Sequence, residues 1–488
     1  MKTIIKLALA TAAAVLTLSS CNEWIDIPVE ATVPAETIDY TRQEGIQELV
    51  TGSYRRFLTQ GIAEWEIVMI MGIRGDDLDK GTNPTDQADF NDFNRYNYSN
   101  AGSFWALGNT WNMMYSAISD FNEALAALSE FGQSGASQAT IKEAIAQVTV
   151  LRDFYYFRLA RIFGDIPVYF KNSDRNGIRR TKHDKVIAML IDDVKAVAED
   201  LKDCKPNEHQ YKGSVTKYTA YAVLAKFAAE ILDYDTVLEY SDKIIAKYGK
   251  NALYPDYHYL FTSQANLCDE NLLEAQRPAR LSEANPWTGY TDFQGPGATI
   301  TTKDGGSMGG GWSFFCPTDK IVNLMQSRGE TVRRETDVIV GGEYTWYGDF
   351  VGTNVFSNMW NGKVYNPSGL CYEQAWGNDV NVRVIRYADI LLLNAEASVK
   401  KGRSGDQYYN WVRERANMPT KTGVTFEDIM EERFVELCFE NGERFYDLVR
   451  TGLASRELAS EGYTDAGKYF PIPQTVLDAT ATMSEPAE

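Results

Sequence analysis

Histidine is nearly missing from this chain. Only His183, His209 and His258 occur in 488 residues, and no two of them share a helical spacing. A histidine-ligated metal centre and a histidine-based triad are therefore not expected. Cysteine is sparse as well. Beyond Cys21 there are Cys204, Cys268, Cys316, Cys371 and Cys438, an odd and widely spaced set without a CxxC pair. Neither a disulfide framework nor a zinc site follows from it. After residue 20 the chain lacks any uninterrupted apolar run of the roughly 18 residues a membrane helix needs. Positive charge is in deficit too: 48 Lys and Arg face 67 Asp and Glu, a net −19. Without residues 1–20, which carry Lys2 and Lys6, the balance is 46 against 67, or −21. That argues against nucleic acid, whose binding rests on neutralising phosphates, and against a polybasic membrane patch.

What the chain does have begins at its start. Lys2 and Lys6 form a small basic region, 4–18 is apolar, and Leu18-Ser19-Ser20 precedes Cys21. This is the layout of a secretory signal, too short for a good membrane span. Leu-Ser-Ser-Cys also resembles a bacterial lipobox, in which Cys21 becomes the acylated first residue of the mature protein. Each buried lipid methylene adds about 0.8 kcal/mol, so several acyl chains tether far better than one. An ordinary signal followed by a free cysteine is the alternative.

Five segments follow from the pattern along the chain: a signal over 1–20, a tether over 21–40, a helical region over 41–269, a loop-rich region over 270–381 and a second helical region over 382–488. Apolar periodicity predicts helices over 41–60, 103–130, 138–163, 183–201, 216–231 and 235–248. Gly164 and Pro167 are expected to end the third of these. Residues 216–249 read as a helical hairpin with small residues at close-packing positions. Its length is near the 34 residues of a tetratricopeptide repeat, though a generic helical hairpin fits equally. Between 270 and 380, glycine clusters such as "KDGGSMGGGWSFF" and isolated tryptophans replace the helical pattern.

Aromatic side chains are the best candidates for ligand contact. Sugars present apolar C–H faces ringed by hydroxyls, and proteins hold them on exposed aromatic platforms flanked by polar groups. Trp287, Tyr290, Trp312, Trp346, Trp360 and Trp376 fall in the loop-rich region among Asn, Asp and Gly. For any one of them burial in the core is the commoner outcome, while at least one is expected to form a platform. Trp111 and Trp411 lie on helices with apolar neighbours and are expected to be buried. The acidic stretch "RGDDLDKGTNPTDQADFND" (74–92) offers hard oxygen donors suited to calcium, the one metal weighed, but without EF-hand spacing. A solvated polar loop is the simpler expectation, so no cofactor is assigned. Glu432 and Glu436 share one helical face among Arg386, Arg413, Arg415, Arg433 and Arg444. This pattern fits a helix-packing ion network better than a catalytic carboxylate pair.

Several stretches, in their order, carry a resemblance. They are "WNMMYSAISDFNEAL" (111–125), "LRDFYYFRLARIFGDIPVYF" (151–170), the 216–249 hairpin, "VRVIRYADILLLNAEASVKKG" (382–402), "EDIMEERFVELCFENGERFYDLVRTG" (427–452) and "YFPIPQTVLDA" (469–479). Together with the lipobox they resemble the SusD/RagB family of outer-membrane nutrient-binding lipoproteins. The resemblance implies a mostly α-helical, SusD-like fold, with tetratricopeptide-like helix pairs as scaffold and a loop-rich inserted region. It implies non-catalytic capture of an oligosaccharide or glycan at the cell surface, and a SusC-like TonB-dependent transporter as partner. It also implies ligand contact from the early loop region, which adds Trp65, Arg74, Asp76 and Asp77 to the candidates. The ending "TATMSEPAE" departs from the family pattern. Three other functions remain open on the sequence: a surface glycoside hydrolase, a protein-binding helical-repeat scaffold, and binding of peptide or glycoprotein nutrients by the same architecture.

Overall fold

Apolar stripes on successive helices decide the architecture, because each helix can bury its stripe only against the next. The computed structural model describes residues 44–133, 136–277, 289–371 and 379–487. Cys21, Trp287 and Trp376 lie outside the described residues. Helices run over Glu44–Phe57, Trp105–Gln133, Gln138–Phe163, His183–Val197, Lys217–Glu230 and Tyr234–Tyr248. From Trp105 onward each packs on its successor in the chain. The series then continues across the sequence: Tyr234–Tyr248 packs on Tyr387–Lys400, which packs in turn on Asp406–Arg415 and Phe426–Glu436. Gly164 ends the helix Gln138–Phe163 with φ +74°. Its Cα faces the Tyr469 ring so closely that a Cβ would come within 2.6 Å, so both its backbone angle and its lack of a side chain are needed.

Residues 44–487 belong to one compact unit, Tyr40–Glu488. Within it, strand Asn271–Ala275 pairs antiparallel with Val382–Arg386, so the chain leaves the helices at 275 and returns at 382 side by side. The stretch between contains more regular structure than its glycines suggest. It holds helices Asp319–Arg328 and Val332–Asp337 and several short antiparallel strands. Ile300, Met308, Ile339, Val351, Trp360 and Tyr365 form a small core of its own. Strand Phe314–Pro317 reaches out of this stretch and pairs with Leu78–Gly81 near the start of the helical region, Gly81 opposite Phe314.

The charged motifs around Glu432, Arg433 and Glu436 are interior. Glu432 and Glu436 are fully buried. Arg333 donates to Glu432 at 2.7 Å and to Glu436 at 3.2 Å, and Arg413 donates to Glu432 at 2.8 Å. Arg386 donates to Glu436 at 2.9 Å, Glu270 at 2.8 Å and Glu440 at 2.7 Å. Burial raises the Glu436 carboxyl, but the charges of Arg415, Arg386 and Arg333 outweigh it and hold it well below the usual carboxylate range. Beside this network, Arg433 bridges Asp389 and Asp447, each at 2.7 Å. Glu432, Glu436, Asp389 and Asp447 are buried and ion-paired to arginines, an arrangement that serves helix packing.

No helix among the described residues is long and apolar enough to cross a membrane. The five described cysteines form no disulfide with one another.

Candidate aromatic binding site

Three indole rings meet at the surface where the helical region and the inserted stretch adjoin. Trp65 opens the helix Trp65–Gly72. Just before it, the backbone kinks through Leu58–Ile62, where Gln60 and Gly61 leave helical geometry. Gly61 passes against the Tyr155 ring, and a Cβ there would lie 2.5 Å from it. The kink lets the chain start a new helix with Trp65 at its exposed end. Trp105 opens the long helix Trp105–Gln133. Trp312 comes from the Gly-rich run 309–311, which lies flat on residues 292–297 through backbone bonds from Gly311 to Pro296, Trp312 to Asp292 and Ser313 to Gly295. This contact requires glycine: a Cβ on Gly311 would sit 2.2 Å from the Asp292 carbonyl oxygen, and one on Gly310 2.3 Å from that of Pro296.

The Trp65 ring is central. Its centroid lies 5.7 Å from that of Trp105 at 51° and 5.8 Å from that of Trp312 at 81°. Phe293 and Phe314 back it at 6.3 and 6.1 Å. Trp65 is half-buried by these neighbours, while Trp105 stays 42% and Trp312 39% exposed. Large aromatics left in water next to one another mark a contact surface more than chance exposure does. Polar groups border the rings. Trp105 donates its indole N–H to Gln87 Oε1 at 3.0 Å. Gln87 adopts φ +49°, as Ser313 and Phe315 adopt φ +61° and +55° beside Trp312. Left-handed backbone at non-glycine residues costs on the order of 1–3 kcal/mol each and gathers where geometry serves a site. Glu64 precedes Trp65, and burial together with the charge of Glu66 pushes its carboxyl up to about 8. At neutral pH that side chain is mostly protonated and able to donate a hydrogen bond. Apolar ring faces with bordering polar groups suit a neutral, hydroxylated ligand.

The structure brings together Trp65 and Trp312 from the expected candidates and separates the rest. Arg74 is fully buried, its guanidinium 4.2 Å from the Phe445 ring centroid and 4.5 Å from that of Phe470. Asp76 is buried against Arg444 at 2.6 Å and Lys320 at 2.5 Å. Asp77 is buried and accepts from the backbone N–H of Phe439 at 2.9 Å. These three hold the helical region to the C-terminal segment, which corrects the expectation that they touch ligand. Trp360 corrects it too: it is fully buried in the core of the inserted stretch. Trp346 is half-buried and stacked on His258 at 5.1 Å, away from the three indoles. Tyr290 is half-buried and lines a small recess with Phe261, Lys363, Arg383 and Glu440. Trp111 is in the core, whereas Trp411 is only half-buried.

The acidic stretch 74–92 closes on a cation of its own. Lys80 Nζ donates to the carbonyls of Asn83 at 2.8 Å and Asp86 at 2.6 Å. With Asp76 and Asp77 drawn into the interior, no group of three or more His, Cys, Asp or Glu among the described residues is placed to hold a metal ion.

Trp105 is the residue the sequence reasoning missed. Its signal was available: Trp105 and Trp111 are six positions apart on one helix, about 120° round the axis, so both cannot face the same core. Trp111 is 6% exposed, which leaves Trp105 outward.

A helical scaffold that presents exposed aromatic rings, with its paired carboxylates locked inside, defines a binding protein. Comparison with known proteins gives the family. Residues 340–468 match the model described as SusD family, and residues 74–228 match the model described as starch-binding associating with outer membrane. SusD-like protein P2 of Formosa agariphila is 25% identical over 494 residues, 94% of each chain. Among solved structures, surface glycan-binding protein A from Bacteroides fluxus superimposes with a TM-score of 0.75 at 23% identity, covering 90% of this chain and 96% of that one. A laminarin binding SusD-like protein superimposes with a TM-score of 0.76 at 20% identity, covering 90% and 98%. The chain belongs to the SusD-like family, whose members are non-catalytic binding proteins.

Proposed function

We propose that this protein captures an oligosaccharide or glycan at the cell surface, without catalysis, and delivers it to a SusC-like TonB-dependent transporter of the outer membrane. The observation that carries the proposal is the surface cluster of Trp65, Trp105 and Trp312, two of them largely open to solvent. Sugar rings stack their C–H faces on such planes and hydrogen-bond to groups at the rim. The described affinities of relatives for starch, surface glycans and laminarin support the ligand class. Cys21 would carry the lipid that tethers the protein to the outer membrane, as the lipobox suggests. The successive helix pairs, with 216–249 as the most tetratricopeptide-like, would act as the rigid scaffold. Closure over the transporter would then commit the bound chain to uptake.

Electrophoresis of the purified protein in native gels containing laminarin, amylose or xylan tests the ligand class. Retardation by at least one glycan, weakened in Trp105→Ala and in Trp312→Ala, is expected. Retardation unchanged in both variants would place the ligand elsewhere. Release of products from any glycan would contradict a binding role.

A further inference from the structure

Trp360 was expected at the ligand and is instead fully buried in the core of the inserted stretch. Its indole N–H donates to Ser313 Oγ at 2.9 Å. The same hydroxyl oxygen accepts the backbone N–H of Gly297 at 2.7 Å. One oxygen thus ties together the strand Met359–Asn361, the loop at Gly297 and the segment that carries Trp312. Ser313 itself adopts φ +61°, and its backbone is held from the other side. Its N–H bonds Gly295, and its carbonyl lies so close to Gly81 that a Cβ there would be 2.3 Å away. Asn354 adds a further link by donating to the Gly297 carbonyl at 2.6 Å. The neighbouring Trp312 is 39% exposed, and its own backbone N–H bonds the Asp292 carbonyl beside this anchored serine.

We propose that Ser313, held by Trp360, is a positioning residue that fixes the Trp312 indole at its near-perpendicular angle to Trp65. The bond from Trp360 is buried and does not compete with water, so it holds the backbone at one setting where an exposed bond would let it drift. A ring kept in place before binding loses less freedom when a ligand arrives. Neither residue touches the ligand. This inference rests on the reading of the indole cluster as the glycan platform, and its test separates the two.

The decisive variants are Ser313→Ala, which removes the acceptor, and Trp360→Phe, which keeps the bulk and removes only the N–H. The readout is the Trp312 component of fluorescence, obtained as the difference between matched proteins with and without Trp312→Ala. Acrylamide quenching of that component is expected to rise about twofold in Ser313→Ala and in Trp360→Phe. Retardation constants in laminarin, amylose and xylan gels are expected to fall about fivefold in the same variants. Adding Ser313→Ala to Trp312→Ala is expected to cost nothing further. Unchanged Trp312 quenching, or an equal loss of retardation in the Trp312→Ala background, would overturn the positioning role. If Trp312→Ala leaves retardation intact while the quenching change appears, the positioning stands and the platform reading fails.

Discussion

Charged side chains gather in the interior of this protein at one place, and indole rings gather at its surface at another. Around Glu432 and Glu436, a cluster of guanidinium and carboxylate groups is sealed from water by packed helices. Around Trp65, indole rings stand partly in water, two at helix starts and one after a glycine-dependent turn. The difference teaches what each chemistry is for. A buried ion network tolerates little movement, because any unpaired member is an uncompensated charge in low dielectric. It therefore locks the register of the helices. An exposed ring contributes little to folding and keeps its free face for a ligand. The proposed binding surface thus uses residues other than those that hold the helices together, and variants can break each without the other.

The largest expected effect comes from the network. Arg386→Ala removes one cation from each of Glu270, Glu436 and Glu440, which keep only Arg415, Arg333 with Arg415, and Lys363, respectively, and should cost about 3 kcal/mol, read as a lower midpoint in urea unfolding. The same groups set the acid limit. Arginine charges hold Glu432 and Glu436 below their unfolded values near 4.3, so their contribution is complete above that pH and is lost as pH falls through the folded values. Urea midpoints should drop steeply below about pH 4, and a flat profile down to pH 3 would contradict the network's role.

Next come the buried residues once suspected of binding. Asp76→Ala leaves Arg444 and Lys320 without their carboxylate and should cost about 3 kcal/mol. It should leave glycan retardation unchanged in whatever fraction stays folded. A variant that keeps its melting temperature but loses retardation would return Asp76 to the ligand site.

Trp105→Ala and Trp312→Ala sharpen the comparison from the other side. Each should weaken glycan binding about tenfold, or about 1.4 kcal/mol, as a central aromatic contact does. Their melting temperatures should stay near that of the parent, since both rings are largely exposed.

The smallest effect concerns Glu64. Burial, then the Glu66 charge, raises its carboxyl to about 8. A carboxyl raised on folding contributes stability below its unfolded value near 4.3, and that contribution is lost as pH rises through the folded one. Melting temperature should therefore fall between pH 5 and 9, and fall less in Glu64→Gln. Equal slopes in the two proteins would show that Glu64 does not titrate in this range.

Much of the scaffold was legible because stripes at helical spacing have one outcome once neighbours share them. Ile141, Ile145, Val148, Leu151 and Tyr155 could only face a core, and the helix Gln138–Phe163 ends at the glycine where expected. The helix Trp65–Gly72 was not legible. Its residues from Glu66 onward are all buried, so "WEIVMIMG" carries no polar face to give a period. Helices Asp319–Arg328 and Val332–Asp337 were hidden by the glycines around them. The binding surface was only half legible, because residue type does not encode exposure. Trp312 and Trp360 sit in similar Gly- and Asn-rich contexts, yet one faces water and the other is core. What separates them is tertiary: Trp360 is on a strand paired to Val338–Val340, whereas Trp312 follows glycines pressed flat on another loop.

The central claim is that the exposed indoles, and not the buried charges, hold the ligand. The most direct measurement is native-gel retardation of the Trp105→Ala/Trp312→Ala double variant in laminarin, amylose and xylan, with its melting temperature recorded in parallel. The account predicts that the parent is retarded by at least one glycan, and that the double variant migrates as if none were present while melting at the parent's temperature. A double variant that is folded and retarded as strongly as the parent would contradict it.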